Sequence, residues 1–187
     1  RIVVDQGTLQ YSAGPQRDAT RSTLNHNTVS IDGEEQCDFY GAHRCGRRAH
    51  PRLLEWQPSA TGFVLTGSHD GFVHLPGSPE HVRCYGFTSE RLTITDRLSR
   101  CGRRTAQAAY LFHPDCFVEL TGPQSASISR EHIRMTVTAP GPLHLEETEW
   151  YPALYVALPT KRLRIDLLSN DADLLTVFDV QTPKKMS

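Results

Sequence analysis

The feature that most limits how this chain can fold is a two-residue hydrophobic period, cut at short intervals by glycine and proline. Ile133, Met135 and Val137 alternate with Arg134, Thr136 and Thr138, and Leu163, Ile165 and Leu167 alternate with Arg164 and Asp166. Successive side chains of an extended chain point to opposite faces, so this spacing builds half-buried strands with one face in a core. The same pattern predicts strands over residues 2–4, 27–31, 62–67, 81–86, 92–96, 106–113, 117–120 and 174–180. No window carries the 3.6-residue recurrence of an amphipathic helix. Thirteen glycines and twelve prolines sit mostly between the strands, as in Ala13-Gly14-Pro15, Pro76-Gly77-Ser78-Pro79 and Ala139-Pro140-Gly141-Pro142, where they favour turns. Turns this short join antiparallel neighbours, because parallel strands need long crossovers. Roughly ten or more short strands then predict an all-β fold, an antiparallel two-sheet sandwich of distorted jelly-roll type with little or no helix.

A length of 187 residues suits one domain, 1–187, with a substantial core. Twenty basic and 21 acidic residues are well mixed, with a formal charge of -1, which favours neither nucleic acid nor an anionic membrane as partner. No apolar run is long enough to span a bilayer, and the start carries no signal-peptide pattern. The chain begins at Arg1, directly before the apolar run Ile2-Val3-Val4, so it is expected to be a piece of a longer product. Five cysteines with no CxxC spacing predict neither a disulfide framework nor a structural zinc knot. A Cys37–Cys45 bridge stays open. Residues 181–187 are expected to be a frayed polar end.

Chemistry concentrates around Arg21-Ser22-Thr23-Leu24-Asn25-His26-Asn27-Thr28-Val29, which sets a histidine at the mouth of a strand. Imidazole titrates nearest neutrality, so His26 is suited to proton or metal chemistry; its plainer alternative is a hydrogen bond to a loop. Nine histidines fall mostly near strand ends, and pairing could bring His26 and His81 together with a carboxylate such as Asp70 as metal ligands. Arg17 and Arg21 follow Asp5-Gln6-Gly7-Thr8-Leu9-Gln10-Tyr11. Their guanidinium forks either hold an acidic ligand near His26 or pair with Asp18, Asp5 or Glu34. Arg44, Arg47, Arg48 and Arg52 form the densest basic cluster, a solvated loop or an anion site. No nucleophile elbow, phosphate loop or dinucleotide fingerprint is present.

The order Val4-Asp5-Gln6-Gly7-Thr8, Tyr11, Arg17, Arg21-Ser22-Thr23, His26-Asn27-Thr28-Val29, Asp32-Gly33 and Gln36 resembles the C-terminal domain of the heparinase II/III-like polysaccharide lyases. His69-Asp70-Gly71-Phe72, His81-Val82-Arg83, Thr95-Asp96-Arg97-Leu98 and Phe112-His113-Pro114 continue in the family's order. The resemblance, which extends to alginate lyases, implies a β-sandwich paired with an N-terminal α/α toroid that these residues lack. It implies a carbon-oxygen lyase cleaving uronic-acid polysaccharides, heparin- or heparan-like or alginate-like, by β-elimination in the cleft between the two domains. His26 would be catalytic there, Tyr11, Arg17, Arg21 and Asn27 would bind substrate, and the sandwich alone would be inactive. Further implications are a structural zinc ion on His26 and His81, although Asn27 stands where zinc-binding members carry aspartate. A periplasmic or secreted bacterial location and a homodimer follow in the same way. The alternative is a non-catalytic carbohydrate-binding or structural module, with Trp56, Trp150 or Tyr151 stacking on sugar.

Overall fold

The computed structural model describes residues 1–167 and 173–181. Of the predicted polar tail, all but Gln181 lies outside the described residues. Fourteen strands follow one another: β1 (Val29–Ile31), β2 (Phe39–Tyr40), β3 (Arg44–Cys45), β4 (Pro51–Pro58), β5 (Gly62–His69), β6 (Glu80–Thr88) and β7 (Arg91–Ser99), then β8 (Ala106–Leu111), β9 (Phe117–Gly122), β10 (Ser125–Arg130), β11 (Ile133–Thr138), β12 (Leu143–Ala153), β13 (Val156–Asp166) and β14 (Leu174–Val180). The helical content described is one five-residue helix, α1 (Pro15–Ala19), and a 3-10 turn over Thr23–Asn25. Proline at the start of α1 suits a position where the missing N–H would have had no partner.

One sheet runs β1-β8-β13-β12 and the other β4-β5-β6-β7-β14-β11-β10-β9, with β2 and β3 forming a separate small hairpin. Every strand pairing is antiparallel, as the short turns require. The alternation read from the sequence sets which side chains face inward. Val29 and Ile31 of β1, Ala106, Ala108 and Tyr110 of β8, and Leu163 and Ile165 of β13 come from the smaller sheet. They meet Ile94, Val118, Ala126, Ile128, Val137, Leu174 and Phe178 from the larger one. Tyr110 and Phe178 touch edge to face, 5.2 Å between centroids. Each large apolar side chain buried this way contributes about 1.5–3 kcal/mol.

Five strands escape the period-two reading, and of these β2 and β3, at two residues each, are too short to show a period. In β4 the register shifts between Leu53 and Glu55, so Leu54 is an extra bulged residue that breaks the alternation. In β10 the inward residues Ala126 and Ile128 alternate with serines, too small a contrast to stand out. In β12 the acidic run Glu146-Glu147 interrupts the pattern. Residues 2–4, expected as a strand, pair only through the isolated bridge Val3 to Phe112. All five cysteines are free thiols.

Candidate active-site face

Asn27 determines how His26 is presented. Its side-chain Nδ2 donates to the Val4 carbonyl at 2.9 Å, and its Oδ1 accepts from the Leu111 N–H at 2.7 Å. One amide thus stands in for ladder hydrogen bonds between the N-terminal segment and the end of β8. Arg83 Nη1 donates to the Asn27 carbonyl at 2.6 Å. With both ends of its amide used inside the protein, Asn27 is a staple and does not reach toward a ligand.

The staple lays Asp5 beside His26. His26 Nδ1 and Asp5 Oδ1 are 2.8 Å apart, with the side chains 35% and 61% exposed respectively. The hydrogen bond to Asp5 raises the imidazole pKa above its ordinary value, against burial, with the Asp5 charge and the Thr20 carbonyl adding to the rise and the charge of Arg162 opposing it. Asp5 moves the other way: its bond to His26 holds the carboxyl below the usual range. The Asp5 contact thus stabilises the charged form of the imidazole.

Arg17 and Arg21 lie on either side of Thr20. Arg17 Nε donates to the Ala42 carbonyl at 3.0 Å, and Arg21 donates to the carbonyls of Gly41 (2.9 Å) and Arg44 (2.8 Å). Arg21 sits 4.1 Å over the Phe39 ring and Arg17 5.0 Å over that of Tyr11, a half-exposed side chain 6.0 Å from His43. Neither guanidinium is in an ion pair with a described residue, so the pairing with Asp18, Asp5 or Glu34 is not formed and both positive charges remain uncompensated. Arg47, by contrast, is scaffolding: it donates to the carbonyls of Gln36, Gly71 and Glu35 and to Asp38.

His81 belongs to a different group, built on the inner face of β5, β6 and β7. The Gly71 N–H donates to His69 Nδ1 at 3.1 Å. His69 Nε2 then carries the proton and donates to His81 Nδ1 at 2.9 Å, which leaves His81 Nε2 to donate to Asp96 at 2.7 Å. Arg83 closes the chain with Nε and Nη2 on the two oxygens of Asp96, at 2.6 and 2.9 Å. Burial, helped by the charge of Arg83, pushes His69 down to about 4, so it stays neutral as this order demands. Burial alone would raise Asp96; the Arg83 charge and the bonds from His81 and Arg83 outweigh it and keep the carboxylate ionised. The sequence offered a signal for this group in the i, i+2 spacing of His81 and Arg83, but the directly opposite registers, His69 with His81 and Arg83 with Asp96, come only from pairing.

The Hepar_II_III_C model, described as heparinase II/III-like, C-terminal, matches residues 1–174. The chain belongs to this family. Two solved structures share its fold. The heparinase III-BT4657 gene product is 16% identical with a TM-score of 0.76, covering 96% of this chain and 28% of its own. The heparan sulfate lyase HepC from Pedobacter heparinus is 15% identical with a TM-score of 0.77, covering 98% of this chain and 29% of its own. This chain thus spans less than a third of the length of either. No curated protein matches it in sequence.

The zinc that the family resemblance implied does not fit the residues as arranged. Both nitrogens of His81 are committed, to His69 and to Asp96, and the charge that faces Asp96 is the Arg83 guanidinium. His26 is held by Asp5, and Asp70 binds His50 through its backbone N–H at 2.6 Å and its ring at 3.0 Å. Among the described residues no three His, Cys, Asp or Glu side chains converge on one point.

Proposed function

We propose that this heparinase II/III-like domain is the sandwich half of a polysaccharide lyase that cleaves uronic-acid glycans, heparan-like or alginate-like, by β-elimination. The observation that carries the proposal is a histidine whose charged form Asp5 stabilises, close in sequence to Arg17 and Arg21, which pair with no carboxylate among the described residues. β-Elimination asks three things of a site: a charge to neutralise the uronate carboxylate, a base for the C5 proton, and a proton for the departing oxygen. His26 as imidazolium suits the first and third. An imidazolium has no free lone pair to accept the C5 proton, so with His26 in that form the base comes from outside these residues, in keeping with the toroid the resemblance implies. Arg17 and Arg21, with Tyr11 beside them, receive further carboxylate or sulfate groups along the glycan. Such a substrate fits a periplasmic or secreted location.

The test is the lyase rate of the complete polypeptide, followed by absorbance of the unsaturated product across a series of uronate polysaccharides. His26→Ala is expected to lower kcat by about 100-fold or more, the usual scale of a lost acid. Unchanged turnover would refute the catalytic role. Glycan binding with no turnover by the unaltered polypeptide would favour a non-catalytic module instead.

A further inference from the structure

The Asp5–His26 bond does not hold itself in place. An ion pair this exposed contributes little, too little to keep a carboxylate at 2.8 Å from one ring nitrogen on a segment that forms no regular strand. The second oxygen of Asp5 accepts from the Gly7 N–H at a long 3.5 Å.

The next two residues are anchored far more strongly. Gln6 is buried; its Nε2 donates to the Glu149 carbonyl at 2.9 Å, and its Oε1 accepts from Arg162 Nη2. Arg162, on β13, is itself buried. Its nearest carboxylate, Glu146, lies 3.8 Å from Nη1 and is bonded more closely, at 2.5 Å, to Arg164. Burial, with Arg164 adjoining, pushes Arg162 down to about 10. The backbone adds a hydrogen bond from the Tyr151 N–H to the Gln6 carbonyl at 2.9 Å, and Gly7 pairs with Tyr151 in a parallel bridge. A side chain at residue 7 would begin 2.0 Å from the Tyr151 oxygen, so only glycine allows the segment to lie this close. Burying a guanidinium with a shared, distant counter-charge is costly, and apolar packing would fill the same space at less cost.

We infer that Gln6 and Arg162 are positioning residues, which clamp the Asp5-Gln6-Gly7 run onto β12 and β13 and so keep Asp5 in register with His26. Within that tripeptide Asp5 orients the imidazole, Gln6 anchors the segment, and Gly7 permits the close approach. The kinetic consequence rests on the lyase reading above; the structural one does not.

Both are separable by experiment. In this chain the Nδ1 proton of His26, held by Asp5, gives a downfield nitrogen-correlated NMR signal, assigned by its loss in Asp5→Asn. Gln6→Met keeps the length of the side chain and removes both polar contacts; it is expected to abolish that signal while circular dichroism shows the sandwich intact. Gln6→Glu keeps an acceptor for Arg162 and is expected to restore it. Arg162→Met gives a second route should Gln6→Met not fold, since an apolar residue suits the buried position. A folded Gln6→Met or Arg162→Met protein that retains the signal overturns the clamp. In the complete polypeptide, Gln6→Met is expected to lower kcat about tenfold with KM within about twofold, the pattern of a group that matters only in the transition state. A lost signal with kcat unchanged would overturn the catalytic role of His26 and leave the clamp supported.

Discussion

Asp96→Ala is the substitution that most directly probes the group around His81. Asp96 is fully buried and accepts one bond from His81 and two from Arg83. Hydrogen bonds to a charged partner contribute about 1.5–3 kcal/mol each, and their loss is offset by relief of the carboxylate's own desolvation. The variant, however, leaves the Arg83 guanidinium buried with the Asn27 carbonyl as its one remaining hydrogen-bond acceptor. The net loss therefore falls in the range for breaking a buried pair, about 3–5 kcal/mol. For a chain of this size, at about 2–4 °C per kcal/mol, that lowers the thermal midpoint by roughly 6–20 °C. Urea unfolding at pH 7, followed by the fluorescence of Trp56 and Trp150, measures it as a shift in midpoint at constant slope. Arg83→Met/Asp96→Leu removes both charges and is expected to lose about 2 kcal/mol less than the two single changes together. A loss below about 1 kcal/mol for Asp96→Ala, or additive single changes, would refute the reading of Asp96 as the group that compensates the buried Arg83 charge.

Two further outcomes follow from the same geometry. His69 is held near 4, whereas a free imidazole titrates near 6.5. As pH falls from 6.5 toward 4 the unfolded chain takes up a proton that the folded one refuses, so stability declines over that window by up to about 3 kcal/mol; His69→Gln is expected to flatten this part of the urea-midpoint curve, and an unchanged slope would count against a neutral His69. Gly7→Ala combines a φ of +78 with a carbonyl 2.0 Å from the new carbon, while Gly33→Ala meets a φ of +75 with nothing within 4 Å. The φ alone costs about 1–2 kcal/mol, so Gly7→Ala should lose clearly more than Gly33→Ala, and equal losses by denaturant titration would show that the contact with Tyr151 is unimportant.

Much of the sandwich was legible because inward and outward residues differ strongly in polarity. The alternations at 133–138 and 163–167 mark strands β11 and β13, and their inward residues Val137, Leu163 and Ile165 are all in the core. Where that contrast failed, so did the reading: Leu54 is a bulge, and the outward serines of β10 hide its register. Of the candidate site residues, Arg17 lies over Tyr11 and, like Arg21, bonds the turn between β2 and β3, whereas His26 bonds Asp5. His81 does not join His26, because its strand register sets it opposite His69 and beside Asp96.

Residue order and periodicity by themselves determined nine of the fourteen described strands and the short antiparallel connections, which depend on neighbours a few positions apart, while the order of motifs along the chain carried the family resemblance. Which groups meet was decided by tertiary structure. Gln6 and Arg162 are 156 positions apart, and Asp5 and His26 are 21 apart; no local pattern records a contact made by strands that pair across the whole chain. The same separation explains why Asn27, adjacent to the catalytic candidate, proves to be a staple, and why Gln6, given no role of its own by the sequence, is buried against Arg162.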